Sequence, residues 1–249
     1  KSIIILLIFV TCYPTRMTIN YGQQSLLVLF FIILPFMHKS NLFTFLSGMS
    51  IFKYSTGYVI FLYFLIRKEY KKFLIASLPY ILGWIIYFTY TKSNAIINFF
   101  EPLKWVLQTG YSRDGDIYSI LNHYFFSNLD YYYRFLLALL MFSLNIIFIL
   151  KARNIKNDLL LMSLICLCPL IFFPHSNYDY VLLLPLLVYS LSNYHLLINK
   201  INFSFVIYYF FINRLIKHLI DIDYIYQPVM LILTIIIYFL NIVYYEKRI

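Results

Sequence analysis

The sequence predicts an all-α, polytopic membrane protein of about seven to nine helical segments, some of them short or re-entrant. Three observations predict this class. The 249 residues are 62% hydrophobic and only 12% charged, whereas soluble globular domains are about half apolar and about a quarter charged. The apolar residues form continuous runs and not the alternating pattern of a membrane β-barrel. With 6 glycines and 8 prolines, the composition excludes a collagenous or low-complexity body.

The predicted segments follow the apolar runs along the chain. These runs cover residues 2–13, 25–37, 42–66, 73–90, 135–150, 159–173, 181–198, 203–213 and 227–245. A helix that crosses a bilayer needs about 20 apolar residues, so we expect several segments not to span it fully. We treat residues 1–249 as a single transmembrane domain with an outer-face loop at 91–134. Because the first residue is Lys1, we expect the chain to be the C-terminal portion of a longer protein.

Basic loops predict the orientation, because Lys and Arg collect on the cytoplasmic side. Clusters at 39, 67–72, 151–156, 200 and 247–248 hold 11 of the 20 basic residues, and the alternate loops hold seven of the ten acids. This segregation predicts a cytoplasmic C-terminus. It also assigns the net charge of +10 to loops that face anionic lipid headgroups. We therefore expect membrane lipids as partners, and no nucleic acid.

The run at 42–66 lies between two basic loops, so a single crossing would put these loops on opposite sides. A hairpin of two short helices, broken at the polar residues 53–57, resolves the conflict. The break contains Lys53, and an ionisable group at membrane depth costs about 2.5 to 3.5 kcal/mol and indicates function. Its ammonium suits a phosphate or pyrophosphate group. Alternatively, Lys53 pairs with a neighbouring carboxylate or extends to the surface.

Two further polar segments carry candidate residues. Residues 14–25 are predicted as a polar loop in which Arg16 offers donors at the mouth of a cavity, or as an ordinary connector. Residues 173–180 are predicted as an outer loop between two helices. In this loop Asp179 is a candidate general base or sugar-hydroxyl ligand, and His175 is able to titrate near neutral pH. Structural roles for both side chains are the alternative.

Several other patterns exclude or weaken alternative functions. Cys12, Cys166 and Cys168 lie in or beside apolar runs, which favours buried thiols over a disulfide or a zinc site. The segment 214–223 has mixed charges, which favours a solvated connection. In the aromatic outer-face loop, residues 101–107 are predicted as a short interfacial helix. The sequence has no Walker motif and no Gly-rich dinucleotide loop, so soluble nucleotide chemistry has no support.

The motifs occur in an order that resembles glycosyltransferase family 87. They are G-Q-Q-S at 22–25 before an apolar helix, G-M-S-I-F-K-Y-S-T at 48–56, the basic stretch at 62–72, and the segment 173–185 that ends in L-L-L-P. Family members typically show G-Q-x-N, then G-L-A-x-x-x-K-x-x-P, a basic cytoplasmic loop and S-P-x-S-W-x-H-x before L-L-L-P. The resemblance spans about residues 14–190. It differs at four positions, which hold Ser25 for Asn, Thr56 for Pro, Asn177 for Trp and Asp179 for His.

The resemblance implies a GT-C-type helical bundle in the plasma membrane of a bacterium. It implies inverting transfer of a sugar, usually mannose, from a polyprenyl-phosphate donor to a lipid or glycan acceptor on the outer face. Asp179 is then the candidate catalytic residue, and the substrate-binding candidates are Arg16, Gln23, Lys53 and Arg113. No metal-ligand cluster is visible in the sequence, so we expect transfer without a metal or other cofactor. The family's catalytic carboxylate lies in the first outer loop, which is expected upstream of Lys1.

Two other functions are kept open beside the transferase. A lipid-linked glycan flippase or transporter also needs intramembrane charge and aromatic cavities. Transporter folds often have repeated halves, and the sequence shows no convincing repeat. A membrane subunit without catalysis is the second alternative.

Overall fold

The computed structural model describes residues 2–20, 24–91, 115–125, 131–213, 216 and 223–246. Regular structure in these ranges is helical and contains no strand, which confirms the all-α prediction. The α-helices are α1 (Ser2–Thr11), α2 (Tyr13–Asn20), α3 (Ser25–Met37), α4 (Asn41–Ser47), α5 (Tyr54–Gly57), α6 (Val59–Ile66), α7 (Tyr70–Thr91), α8 (Ile117–Tyr124), α9 (Tyr131–Lys151), α10 (Asp158–Phe172), α11 (Leu184–Ser192), α12 (Leu197–Ile207) and α13 (Asp223–Glu246). Short 3₁₀ segments follow α4 (Gly48–Phe52) and α9 (Ala152–Asn154) and precede α11 (Asn177–Leu183), and a π-helical turn follows α12 (Tyr208–Ile212).

Few of these helices are long enough to cross a membrane. Within the described ranges, three qualify by length and hydropathy: Tyr70–Tyr90, Tyr132–Asn154 and Tyr226–Tyr245. A fourth span is obtained if α1 and α2, which meet at a bend of 54°, are counted together. The other apolar helices have 10–17 residues. The prediction of a polytopic bundle with short segments is therefore confirmed.

The structure corrects the prediction at residues 14–25. The part from Tyr13 to Asn20 is helix α2 and not a loop, although α3 does begin at Ser25 as predicted. Pro14 stands in the first turn of α2, where a missing N–H is tolerated, and Thr15 and Thr18 are buried. Helix α2 lies against the 3₁₀ segment Asn177–Leu183, and the Thr18 hydroxyl donates to the Pro14 carbonyl within the helix (2.8 Å). Its buried positions are therefore polar, and its sequence lacks the apolar face that identifies a surface helix.

The predicted hairpin is present and breaks at Lys53. Its first arm is α4 with the 3₁₀ segment, and its second arm is α5 and α6. The Ser50 hydroxyl donates to the Gly57 carbonyl across the break (2.7 Å). Both arms lie against α7: Gly48 of the first arm contacts Ala76, and Phe61 of the second arm contacts Phe73. From helix rises of 1.5 and 2.0 Å per residue, each arm is roughly 20 Å long. The hydrocarbon core is about 30 Å thick, so neither arm is long enough to cross it, as expected of a re-entrant hairpin.

Contacts between helix ends divide the bundle into two ends. Arg67 donates to the carbonyls of Ile155 (2.9 Å) and Lys156 (3.1 Å) and pairs with Asp158 (2.8 Å), while the hydroxyls of Tyr189 and Tyr245 meet. The loops at 38–40, 67–69, 152–157 and 193–196 therefore share one end, which we call the basic end. Its exposed cations are Lys39, Lys68, Lys71, Lys151, Arg153, Lys156 and Lys200. The hairpin break lies toward the opposite end.

Helix α10 forms the centre of the bundle. All residues from Leu160 to Phe172 are buried, including the free thiols Cys166 and Cys168. Cys12 is also buried and free, so the prediction of three buried thiols is confirmed. A helix that is apolar on all faces is expected to be surrounded by protein. Helix α10 is thus the scaffold on which the hairpin and the segment after Phe172 are placed.

Candidate active site

The break in the hairpin places a lysine at its tip. The 3₁₀ segment ends at Phe52, and Lys53 leaves helical geometry with φ −110° and ψ 81° before α5 begins. The Lys53 side chain is 18% exposed. Its backbone carbonyl accepts from the N–H groups of Thr56 and Gly57, so the turn holds the residue in position. The sequence therefore presents a cation from a short, closed turn at the end opposite the basic end.

A capping box holds a carboxylate at the start of the 3₁₀ segment Asn177–Leu183. Asp179 and Ser176 cap each other's backbone N–H groups, as in helix N-termini with this spacing. The Ser176 N–H donates to Oδ2 of Asp179 (3.0 Å), and the Asp179 side chain is only 4% exposed. The structure thus corrects the prediction of a loop through residue 180, because the segment is helical from Asn177.

Ser25, Lys53 and Asp179 meet in one cluster. The Ser25 hydroxyl donates to Oδ1 of Asp179 (2.6 Å) and accepts from Nζ of Lys53 (2.8 Å). Lys53 also pairs directly with Oδ1 of Asp179. The residues come from three elements and are separated by 28, 126 and 154 positions along the chain. Burying a charge is strongly unfavourable without a partner, so the lysine and the serine stabilise the carboxylate at this depth.

A narrow crevice lies along the 3₁₀ segment that carries Asp179. His175 contacts the Phe173 carbonyl through Nδ1 (3.2 Å) and the Tyr180 hydroxyl through Nε2 (3.3 Å). Tyr180 packs on Tyr209 with ring centroids 4.5 Å apart, and Tyr209 belongs to the π-helical turn, a distortion that is frequent at functional sites. The crevice is lined by Gly115, Leu170, His175, Tyr180, Leu183, Phe205, Tyr209 and Thr234. The crevice thus offers aromatic rings and hydroxyl groups next to the segment that carries Asp179.

A second buried carboxylate near this crevice has a structural role. Asp116 is fully buried and accepts from the Ser119 N–H (2.7 Å) as the N-cap of α8. The preceding Gly115 has φ +85°, and a Cβ there would lie 2.6 Å from the Gln227 carbonyl oxygen. Only glycine fits this close approach in the left-handed region. The contact fixes α8 against α13 beside the crevice.

Comparison with known proteins identifies the family of the chain. The model of glycosyltransferase family 87 matches residues 1–174, more than two thirds of the 249 residues. The chain belongs to glycosyltransferase family 87. Membership in this family indicates a membrane glycosyltransferase. No curated protein and no solved structure shows significant similarity to the chain.

The family 87 match includes part of the cluster. Ser25 and Lys53 lie within residues 1–174, whereas Asp179 lies just beyond this range. The matched range begins earlier and ends earlier than the span of about 14–190 indicated by the motifs. Asp179 is therefore connected to the family 87 region by its contacts with Ser25 and Lys53.

The structure brings together two of the five predicted site residues of this family 87 protein, Lys53 and Asp179. Arg16 is exposed on α2 and has no contact with the cluster in the structure, although α2 packs against the segment that carries Asp179. Gln23 and Arg113 lie outside the described residues, as does the predicted interfacial helix at 101–107.

Sequence reasoning missed the structural roles of Ser25 and Ser176. In the sequence, Ser25 marks the start of an apolar helix and a departure from the family pattern, and its two partners are distant along the chain. Ser176 precedes Asp179 with the S-x-x-D spacing of a capping box, so this signal was present. Among the described residues, no group of three or more His, Cys, Asp or Glu side chains is able to hold a metal ion. Transfer without a metal stays a prediction.

Proposed function

We propose that this protein transfers a hexose, with mannose as the first candidate, from a polyprenyl-phosphate donor to a lipid or glycan acceptor. The Ser25–Lys53–Asp179 cluster carries the proposal. It combines a cation suited to a phosphate with a carboxylate suited to a hydroxyl group. It also lies at the tip of a re-entrant hairpin, where a substrate with a lipid tail is able to approach from the bilayer. Family 87 membership supports the reaction class.

The proposed reaction needs one proton acceptor and one stabilised leaving group. Asp179 takes the proton from the acceptor hydroxyl as that oxygen attacks the anomeric carbon of the donor sugar, the role that the resemblance to family 87 gives to a carboxylate of the first outer loop. The bond between this carbon and the phosphate oxygen breaks, and the electron pair leaves with the polyprenyl phosphate. Lys53 stabilises the negative charge that develops on the phosphate. Attack opposite the leaving group inverts the configuration at the anomeric carbon.

The remaining predicted residues are assigned to substrate binding in this proposal. Arg16 is exposed on α2, which packs against the Asp179 segment, so its guanidinium suits the donor phosphate or a lipid headgroup. Gln23 precedes Ser25 by two positions and is assigned to sugar hydroxyls. Arg113 is assigned to the phosphate side.

We further propose that the basic end faces the cytoplasm of a bacterium, which places the cluster toward the outer face and the C-terminus inside. The exposed lysines and arginines at that end support this orientation. Single cysteines at Lys71, on the basic end, and at Tyr124, on α8, test it with a membrane-impermeant thiol reagent. The native thiols are buried and should not react. Labelling of both positions from the same side would refute the orientation.

A transfer assay tests the function itself. The protein is reconstituted in neutral lipid with a polyprenyl-phosphate hexose and an acceptor, and formation of the new glycosidic bond is measured. We expect Lys53→Ala and Asp179→Asn to lower the rate by about 100-fold or more. Lys71→Ala removes an exposed lysine at the basic end and should leave the rate unchanged. Undiminished transfer in both site variants would refute their roles, and translocation of the lipid-linked sugar without a new bond would favour a flippase.

A further inference from the structure

The contact between Lys53 and Asp179 conflicts with the two roles just proposed for them. Oδ1 of Asp179 accepts from Lys53 and from Ser25, and Oδ2 accepts from the Ser176 N–H. Oδ1 thus accepts from two donors, which fills its lone-pair positions, and the charge of the ammonium is already neutralised by the carboxylate. The pair must separate before Oδ1 receives a proton and before the full charge of Lys53 acts on a phosphate.

We propose that the Lys53 ammonium is an anion site that Asp179 fills in the donor-free protein and that the donor phosphate takes over on binding. This inference rests on the proposed function. The exchange replaces one anion beside Lys53 with another, so the ammonium is never left without a countercharge at this depth, which would be strongly unfavourable. The contact between Lys53 and Asp179 is then a resting state, and Asp179 becomes available as a base only when the donor phosphate binds.

Burial and tethering in the cluster favour this exchange. The Lys53 side chain is 18% exposed and that of Asp179 is 4% exposed, so the lysine is the more accessible of the two groups to an incoming anion. Lysine has a flexible four-carbon stem, so its Nζ is able to move between two partners. Asp179 stays held through Oδ2 by the capping box with Ser176. After the exchange, Oδ1 keeps the Ser25 hydroxyl and has a position for the acceptor proton.

The exchange predicts that one substitution in the cluster tightens phosphate binding instead of weakening it. A residue that only binds the ligand weakens binding when it is removed. Asp179 competes with the phosphate for the same ammonium, so Asp179→Asn should tighten phosphate binding. Opposite unit charges in contact near a protein surface interact strongly, and we expect at least about a tenfold lower Kd. The same substitution should abolish transfer, because it removes the proton acceptor.

The test is a titration with undecaprenyl phosphate, which carries no sugar and therefore does not turn over. The protein is placed in phosphatidylcholine nanodiscs, and bound lipid is measured for wild type, Asp179→Asn, Lys53→Met and the double variant. We expect tighter binding for Asp179→Asn, at least about tenfold weaker binding for Lys53→Met, and equally weak binding for the double variant. Asp158→Asn is the matched control, because this carboxylate pairs with Arg67 at the basic end, and its Kd should be unchanged.

Two outcomes would overturn the exchange. Unchanged or weaker binding by Asp179→Asn contradicts competition, and tightening that persists in the double variant contradicts a site on Lys53. If Asp179→Asn fails to fold, Asp179→Ser is used, which also removes the carboxylate but keeps a side-chain oxygen at this position of the capping box. It should lower the Kd in the same direction, and no tightening there would refute the proposal. Loss of transfer in both site variants without tighter binding leaves the proposed function standing. Tighter binding with full transfer instead refutes Asp179 as the base.

Discussion

Replacing Gly57 with alanine should open the hairpin that carries Lys53. A Cβ on Gly57 would overlap the carbonyl group of Ser50 and would lie 2.9 Å from the Ile51 nitrogen, whereas ordinary contacts begin at 3.4 Å. These atoms all belong to the backbone of the first arm, so no side-chain rotation relieves the overlap. The two arms must separate instead.

The expected loss follows from two contributions. Forcing an extra carbon into a packed site costs about 1–3 kcal/mol. Separation of the arms also breaks the 2.7 Å hydrogen bond from Ser50 to the Gly57 carbonyl, which contributes about 1 kcal/mol. We therefore expect Gly57→Ala to lower the free energy of unfolding by about 2–4 kcal/mol. Gly83 is the matched control, because a Cβ there meets nothing within 4 Å. Gly83→Ala in the interior of α7 should stabilise the protein by about 0.5–1 kcal/mol.

The two variants are compared by denaturant or thermal unfolding in the same detergent, and each sample is also assayed for sugar transfer. Gly57→Ala should lose transfer at temperatures where the protein is still folded, because the turn that positions Lys53 is displaced. Gly83→Ala should keep it. Equal stability and equal transfer of the two variants would refute the close packing of the hairpin arms.

Two further predictions concern stability. Asn202 and Asn241 donate to each other across α12 and α13 (2.8 Å each) and are fully buried. Replacing either asparagine with leucine should lower the free energy of unfolding by about 1–3 kcal/mol. The double variant should lose less unfolding free energy than the sum of the two single variants. If the losses are additive in a double-mutant cycle, the two asparagines are not paired. Lys68 has φ 57°, so Lys68→Gly should raise the unfolding free energy by roughly 0.5–1 kcal/mol. Lys71→Gly within helix α7 should lower it by about 1 kcal/mol, and a loss in both variants would contradict strain at Lys68.

Local sequence patterns are sufficient to predict much of the fold. The start of α3 at Ser25 and the hairpin break at Lys53 follow from where apolar runs meet polar residues. The central position of α10 agrees with a run that is apolar on all faces. Helix α2 could not be predicted in this way, since its buried positions include the polar residues Thr15 and Thr18. Buried polar side chains that are hydrogen-bonded inside the protein produce the same sequence pattern as polar side chains in a loop.

The candidate site was predictable only in part. Lys53 is identified from the sequence because an ionisable residue in an apolar run is costly and indicates function, and Asp179 because it is a carboxylate in the loop before an apolar helix. Their pairing joins positions 126 residues apart, and no local pattern encodes a contact at that distance. The sequence left two interpretations of Lys53 open, a phosphate ligand or the partner of a carboxylate, and the structure shows it paired with Asp179.

The sequence by itself determined that this chain is a membrane protein. With 62% hydrophobic and 12% charged residues, it has too few polar groups to cover a water-exposed folded surface. It also determined the segregation of the basic loops and the break at Lys53. The tertiary structure decided which charges meet. Packing of the hairpin, α3 and the 3₁₀ segment after α10 brings a cation, a hydroxyl and a carboxylate together, since a buried charge is stable only beside a partner.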